Sequence, residues 1–456
     1  MTKAPITVLS NRGPLGFIKR ADGSLEPRRG GGGLVSGFLD ALAKNGGTWI
    51  SAISSPADLE AASEGRFDLP PISLQPTVIE PSIYHEAYDV IANRTLWFLY
   101  HGLYSPATTP VFDASFRSAF ESYRSYNRAL SRAGIAAPPN ARLVINDYHL
   151  ALVPGQLRES RPDLRTCFFT HTPFPTAEEF KMLPREHAIE LVGSMAAADR
   201  IGFHCTRWAE NFRETALDLG IRAGEIFVSP LPSDHAQLSA LAESEEVARE
   251  ELALDELGIH GPLIVRVDRM ELSKNIVRGF LAVEELIARH PEVRGNFHFL
   301  ALCYPSRETM HEYRSYAALV RETADRINQQ WGDQGWQPII LASEDNYPRS
   351  IAALKRYDVL LVNPIRDGLN LVAQEGITIN RNAGSVVLSR EAGAAERLNE
   401  LVDLVNPFDV SETAEAIFKA LFQRGADERV ARAQRAQQSL VHDRPSDWLA
   451  SLVEGL

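Results

Sequence analysis

Short apolar runs alternate with longer stretches of helical period along nearly the whole chain. A short apolar run followed by an amphipathic helix buries both of its faces most readily in a parallel sheet covered by helices. The pattern therefore predicts an α/β chain. Strands are expected at 5–9, 47–52, 143–146, 166–170, 200–203 and 226–229, and again at 263–267, 297–302, 338–342, 358–362 and 385–388. Helices are expected at 114–132, 207–219, 276–290 and 308–330, with a short amphipathic helix in the tail DWLASLVEGL, 447–456.

With 456 residues the chain exceeds one ordinary core, so two domains are expected. The segment after Val228 opens with Pro230 and Pro232 and then turns rich in Glu and Ala, which places the junction near 232. The expected division is 1–232, 233–440 and a C-terminal helical piece, 441–456, which the sequence permits, without requiring, to dock back on the first domain. Each half reads as doubly wound, so ligands are expected at the C-terminal ends of its strands.

Bulk properties narrow the partners. A formal net charge of −12 speaks against a nucleic-acid partner. No apolar run approaches ~18 residues, so no membrane span is expected, and the start of the chain lacks the pattern of a secretory signal. Three scattered cysteines, Cys167, Cys205 and Cys303, form neither a disulfide framework nor a metal motif, which fits a reducing cytoplasm. An acidic chain must gather any anionic substrate with local Arg and Lys, so basic residues in strand-end loops carry the search. The sequence permits a homo-oligomer without requiring one.

Four sites stand at predicted strand ends. LSNRGP, 9–14, is followed by RRGGGGLVSG, 28–37, whose Gly31, Gly33 and Gly37 do not match the dinucleotide spacing G-x-G-x-x-G. Arg12 together with backbone N–H groups at a helix start near Leu34 suits a phosphate; the alternative is a flexible connector. INDYHL delivers Asp147 and FFTHTPFP delivers His171 to the ends of apolar strands, and the prolines after His171 stiffen its exit. A strand-end His is also a common structural residue.

The fourth site joins two loops of the second half. IVRVDRMELSKN, 264–275, places Arg269 and Lys274 between a strand and a helix, a suitable pair of cations for a diphosphate. VNPIRDGLNLVAQEG, 362–376, supplies Asp367, then Gly368 for close backbone approach, then the helix-start N–H groups of Asn370, Leu371 and Val372. Glu375 lies one turn further in, within reach of ribose hydroxyls. The plain alternatives are a solvated ion pair and a surface carboxylate. No Asp-x-Asp, P-loop, C-x-x-C or H-E-x-x-H occurs, which leaves a cation-lined, metal-free diphosphate site as the expectation.

Taken in order, these motifs resemble the trehalose-6-phosphate synthase family of retaining glycosyltransferases. The resemblance runs from about residue 5 to about 425. It rests on SNR with the Gly-Gly-Leu helix start, YDVIANRTLW carrying Tyr88 and Trp97, DYHL, HTPFP, the Arg269/Lys274 spacing, YPSR, RDGLNLVAQE, LSREAGAAE and NPFD. It implies the GT-B fold, two Rossmann-like doubly wound domains facing a central cleft, with no cofactor and no metal. It implies glucosyl transfer from GDP-glucose or UDP-glucose to glucose 6-phosphate by front-face displacement, with retention. Arg12, Tyr88, Trp97 and Arg307 would hold the acceptor's phosphate and ring, with Asp147 against the acceptor. His171 would bond the donor sugar and Asp367 the sugar hydroxyls. Arg269 and Lys274 would neutralise the leaving diphosphate, while Gly33, Gly368, Asn370, Leu371, Val372 and Glu375 would cradle phosphates and ribose.

R-M-E-L-S-K-N stands where the family commonly has R-L-D-Y-S-K-G, and VNPIRDG where it has VTPLRDG. These departures lie on the donor side and leave the nucleotide open. Two alternatives stay in view: a pseudo-glycosyltransferase that joins cyclitols through nitrogen, and a non-catalytic sugar-phosphate sensor.

Overall fold

The computed structural model describes residues 5–30, 35, 38–39, 42–43, 46–259 and 261–456. Gly31, Gly33, Gly37 and the helix start near Leu34 lie outside the described residues. The chain divides into two compact units: unit 1 is Met1–Leu231 with Arg444–Leu456, and unit 2 is Pro232–Asp443.

Unit 1 contains β1 (Ile6–Ser10), β2 (Leu15–Lys19), β3 (Leu25–Arg29), β4 (Gly47–Ile53), β5 (Ile72–Val78), β6 (Arg142–Asn146), β7 (Arg165–Phe169), β8 (Arg200–Phe203) and β9 (Glu225–Val228). Seven of them form one parallel sheet in the order β5-β4-β1-β6-β7-β8-β9. All five residues of β1 are buried, as expected of a central strand covered on both faces. Strands are added to one side of β1 as far as β5, and then β6 pairs on the other side. That reversal makes the ends of β1 and β6 the ligand-binding position of an open parallel sheet.

Unit 2 repeats the winding with β10 (Leu263–Met270), β11 (His298–Pro305), β12 (Ile339–Ala342), β13 (Val359–Val362), β14 (Ser385–Ser389) and β15 (Asp403–Val405). Its order is β12-β11-β10-β13-β14-β15, again parallel, with the reversal between β10 and β13. The architecture is α/β, with a doubly wound, Rossmann-like parallel sheet in each unit.

The long helices follow their apolar stripes. Ala114–Ile135 starts where the Asp113 carboxylate accepts the Phe116 amide, and it buries Phe116, Phe120, Tyr123, Tyr126 and Leu130 at spacings of three and four. Ile276–Arg289 buries Ile276, Phe280, Val283 and Ile287 in the same way.

Four features were not expected. β2 and β3 pair as an antiparallel hairpin outside the main sheet. β5 is an edge strand with Pro76 in its middle, tolerated because an edge leaves backbone donors unused. β15, another edge, has only three residues. Glu86–Leu96 winds as a π-helix. At about 3.6 residues per turn Tyr88 and Trp97 would fall on opposite faces, whereas i→i+5 winding, about 4.4 residues per turn, brings them to the same face.

The helix Pro445–Val453 belongs to unit 1. The Trp448 ring centroid lies 5.5 Å from Phe38 and 5.0 Å from Phe169, and its indole nitrogen donates to the Ser229 carbonyl at 2.9 Å. The Arg200 guanidinium donates to the carbonyls of Ser451 at 2.9 Å and Glu454 at 2.6 Å. Among the described residues no helix is long and apolar enough to cross a membrane.

Candidate active site

In unit 2 the loops after β10 and β13 meet at the reversal of the sheet. Lys274 Nζ bonds Asp367 Oδ2 at 2.8 Å and stands 3.6 Å from Asp268 Oδ1. Burial opposes the charge on Lys274, but Asp367 and Asp268 outweigh it and hold the ammonium protonated well above its ordinary range. Arg269 is the more exposed of the two predicted cations and bonds the fully buried Glu271 at 3.0 Å. Arg307, at φ 49°, donates to the Tyr313 hydroxyl at 2.6 Å and lies 3.9 Å from Glu271, which Ser306 also bonds at 3.2 Å.

Beneath these loops sits Arg266, fully buried. It donates to Asn363 Oδ1 at 2.6 Å, pairs with Asp268 at 3.0 Å and donates to the Lys274 carbonyl. A charged residue in the middle of the apolar strand LIVRV is a visible signal that the sequence reading passed over. Asn275 then turns the chain at φ 60° and its side chain ties the carbonyls of Asn363 and Pro407, at 2.9 and 2.7 Å.

Asp367 ends the segment after β13. Its Oδ1 accepts the Leu369 amide at 3.3 Å and its Oδ2 accepts Asn370 Nδ2 at 3.2 Å, so the carboxylate is aimed before any ligand arrives. Asn370 stands just outside the helix at φ 78°, and its side chain caps the Ala373 amide at 3.2 Å. Leu371 and Val372 open the helix Leu371–Ile379, where position leaves their N–H groups without intrahelical acceptors. Gly393, in the LSREAGAAE segment, has no room for a side chain: a Cβ there would strike the Gly368 carbonyl. Glu375 is half-buried, and burial pushes its carboxyl up to about 7.

In unit 1 the candidate residues follow β1, β6 and β7 and the π-helix. Arg12 donates to the Tyr88 hydroxyl at 3.2 Å. The Tyr88 ring stacks on Tyr84 at 5.2 Å and on His149 at 5.6 Å. Trp97 stacks on His101 at 3.9 Å and approaches Tyr148 at 6.0 Å, so the DYHL segment links Tyr88 and Trp97 through adjacent rings. Asp147 has φ 71°, a left-handed value that is costly for a residue with a Cβ. Its carboxylate accepts the His171 amide at 3.1 Å. His171 Nδ1 lies 3.0 Å from His204 Nε2 and its Nε2 lies 3.3 Å from Asn146 Oδ1. Burial, with His204 beside it, holds the His171 imidazole well below its usual pKa, so the ring is neutral at pH 7.

The structure thus brings together Arg269, Lys274, Arg307, Asp367, Gly368, Asn370, Leu371, Val372 and Glu375 in unit 2, and Arg12, Tyr88, Trp97, Asp147 and His171 in unit 1. Sequence reasoning missed Arg266, Glu271, Asn363, Gly393 and His204. His204 carried the same signal as His171, a polar residue closing an apolar strand.

Comparison with known proteins is consistent with this geometry. The sequence profile of glycosyltransferase family 20 matches residues 5–456. A trehalose-6-phosphate synthase from Mycobacterium avium is 30% identical over 98% of this chain and 94% of its own length. A bifunctional trehalose-6-phosphate synthase/phosphatase from Thermoproteus tenax is 30% identical over 95% of this chain, which spans 61% of that longer relative. Among solved structures, the UDP-forming α,α-trehalose-phosphate synthase from Burkholderia xenovorans in complex with glucose-6-phosphate superposes with a TM-score of 0.84. It is 25% identical, over 99% of either chain.

Proposed function

Because the chain belongs to glycosyltransferase family 20, and is thereby a glycosyltransferase, we propose that it transfers glucose from a nucleotide-glucose to glucose 6-phosphate, giving α,α-1,1-trehalose 6-phosphate and a nucleoside diphosphate. The observation that carries this reading is Lys274 held between Asp268 and Asp367 at the point where the unit 2 sheet reverses. A nucleoside diphosphate leaves with its developing charge on the oxygen released from the sugar. Arg269 and Lys274 supply that charge compensation without a metal ion, and the amides opening the helix at Leu371 add to it.

The glucose C1–O bond to the β-phosphate breaks as the acceptor hydroxyl forms its own bond to C1 on the same face. The departing phosphate oxygen takes the hydroxyl proton, and the anomeric configuration is retained. Gly368 lets backbone approach the phosphates, and Glu375 accepts from ribose hydroxyls. Asp367 and His171 orient the donor sugar. Arg12, Tyr88, Trp97, Asp147 and Arg307 take the acceptor. UDP-glucose is the first donor to assay, because the Burkholderia xenovorans relative is named UDP-forming; GDP-glucose is the second. The relatives named are synthases, which does not favour the cyclitol-joining or sensor alternatives.

The test is the initial rate with UDP-, GDP- and ADP-glucose at fixed glucose 6-phosphate, with the linkage of the product read by NMR. One donor is expected to dominate. Absence of disaccharide phosphate from every pair would overturn the proposal.

A further inference from the structure

His171 and His204 form part of a hydrogen-bond chain whose direction is set at both ends by the backbone. At one end the Leu231 amide lies 3.3 Å from His204 Nδ1. An amide N–H can only donate, so this ring nitrogen carries a lone pair and the proton of the imidazole sits on Nε2. His204 Nε2–H then donates to His171 Nδ1 at 3.0 Å. That leaves His171 with its own proton on Nε2, directed at Asn146 Oδ1, 3.3 Å away.

At the other end Asn146 Nδ2 donates to the Leu9 carbonyl at 3.2 Å, which fixes the amide so that its oxygen faces the imidazole. Reversing the chain would set one N–H against another at the Leu231 amide. His204 is 4% exposed, and the Phe169 ring lies 4.9 Å from His171 and 5.0 Å from His204. These apolar surroundings disfavour a positive charge on either ring.

We propose that His204 is a positioning residue that keeps His171 neutral with its proton on Nε2, rested on Asn146 Oδ1 until a donor-sugar hydroxyl shares or replaces that acceptor, so that His171 offers the sugar only a hydrogen-bond donor and carries no proton to or from the reacting atoms. The inference rests on the reading of His171 as a donor-sugar contact. It deepens that reading by assigning the atom, its protonation state and the residue that enforces them. An imidazole free to turn over or to protonate would offer the sugar a lone pair or a charge in some of its states; this one keeps a single N–H on Nε2, held on Asn146.

Two measurements test it. In the intact enzyme with labelled histidines, the 15N spectrum of His171, assigned through the His171→Gln variant, should show an unprotonated Nδ1 and a protonated Nε2 from about pH 6 to about pH 8. A protonated Nδ1, or an imidazolium in that range, overturns the proposal. In His204→Gln the longer amide can still donate to His171, whereas in His204→Asn the shorter one reaches only toward Leu231. The Gln variant should keep kcat/KM for the nucleotide-glucose within about twofold, and the Asn variant should lose about tenfold, the scale of one hydrogen bond. Equal losses in both variants, or none in either, count against His204 as a positioning residue. Should no nucleotide-glucose support transfer, the functional reading falls, and the ring spectrum of the unmodified enzyme still decides the tautomer.

Discussion

In unit 2 the candidate residues are a charged set: Arg266, Arg269, Lys274 and Arg307 stand against Asp268, Glu271 and Asp367. The strand ends of unit 1 work mainly with neutral groups, His171, His204 and Asn146 in directed hydrogen bonds and Tyr88 in a ring stack, beside two charged ones, Arg12 bonded to the Tyr88 hydroxyl and Asp147 accepting the His171 amide. The difference follows from what each place handles under the proposed reaction. A leaving diphosphate needs charge that is already fixed, and carboxylates hold the cations extended and protonated until it forms. A sugar needs donors and acceptors of known sense, and a neutral chain anchored on backbone supplies them.

The largest expected effect breaks the charged half. Lys274→Ala should lower kcat by about 10²–10³, the scale of one lost preorganised donor, measured with saturating donor and acceptor; near-full turnover would remove Lys274 from the leaving-group role. Next comes the support beneath it. Arg266→Ala leaves the buried Asp268 with only the more distant Lys274, 3.6 Å away, and should cost about 3–5 kcal/mol in urea unfolding. A loss below about 1 kcal/mol would mean that the loops hold their shape without Arg266.

Glu375→Gln sharpens the comparison through pH. The folded chain holds the Glu375 proton up to about 7, whereas an unfolded Glu releases it near about 4.3. Ionising it therefore destabilises the fold: the penalty is absent below about pH 4, grows between the two values and is full above about 7. Replacing it by Gln should raise stability by about 1–3 kcal/mol at pH 8 and by nothing near pH 4, while nucleotide affinity falls about tenfold through loss of a charged acceptor. Thermal melts at the two pH values and a binding titration read both; a gain that is the same at both pH values rules out the titration. The smallest effect belongs to the neutral half. Tyr88→Phe removes the hydroxyl that accepts from Arg12 and should raise KM for glucose 6-phosphate about threefold with little change in kcat. A larger fall in kcat than in affinity would move Tyr88 from acceptor binding to the chemical step.

The two halves were not equally legible in the sequence. Central strands such as β1 and β13 are buried throughout and mostly apolar, and could be placed from pattern alone, as could the polar residues that follow such strands, Asp147, His171 and Asp367. Edge strands fail that test for a physical reason: β5 needs only one paired side and accommodates Pro76, and β15 is three residues long. The shared face of Tyr88 and Trp97 depends on π-winding, which leaves the sequence reading as an ordinary helix. The cations of unit 2 were visible because charge in a loop invites the question of what it binds. Their carboxylate partners Asp268 and Glu271 were not, because a buried carboxylate looks like any other acid until its neighbours are known. Arg266 within an apolar strand and His204 at the end of one are each legible as polar breaks in an apolar run, but their partners Asn363 and His171 lie far off in sequence.

The placement of the helix Pro445–Val453 has a consequence for synthesis. Residues 232–443 are an insertion in the first unit: the chain leaves after Leu231, builds a second sheet, and only then supplies Trp448 to the rings of Phe38 and Phe169. On the ribosome, folding of the first unit therefore stays incomplete while more than two hundred residues emerge, with an apolar surface beside His171 bare throughout. A fragment cut at residue 231 inherits that bare surface permanently, so the nascent protein, unlike the finished one, is a candidate client for chaperones.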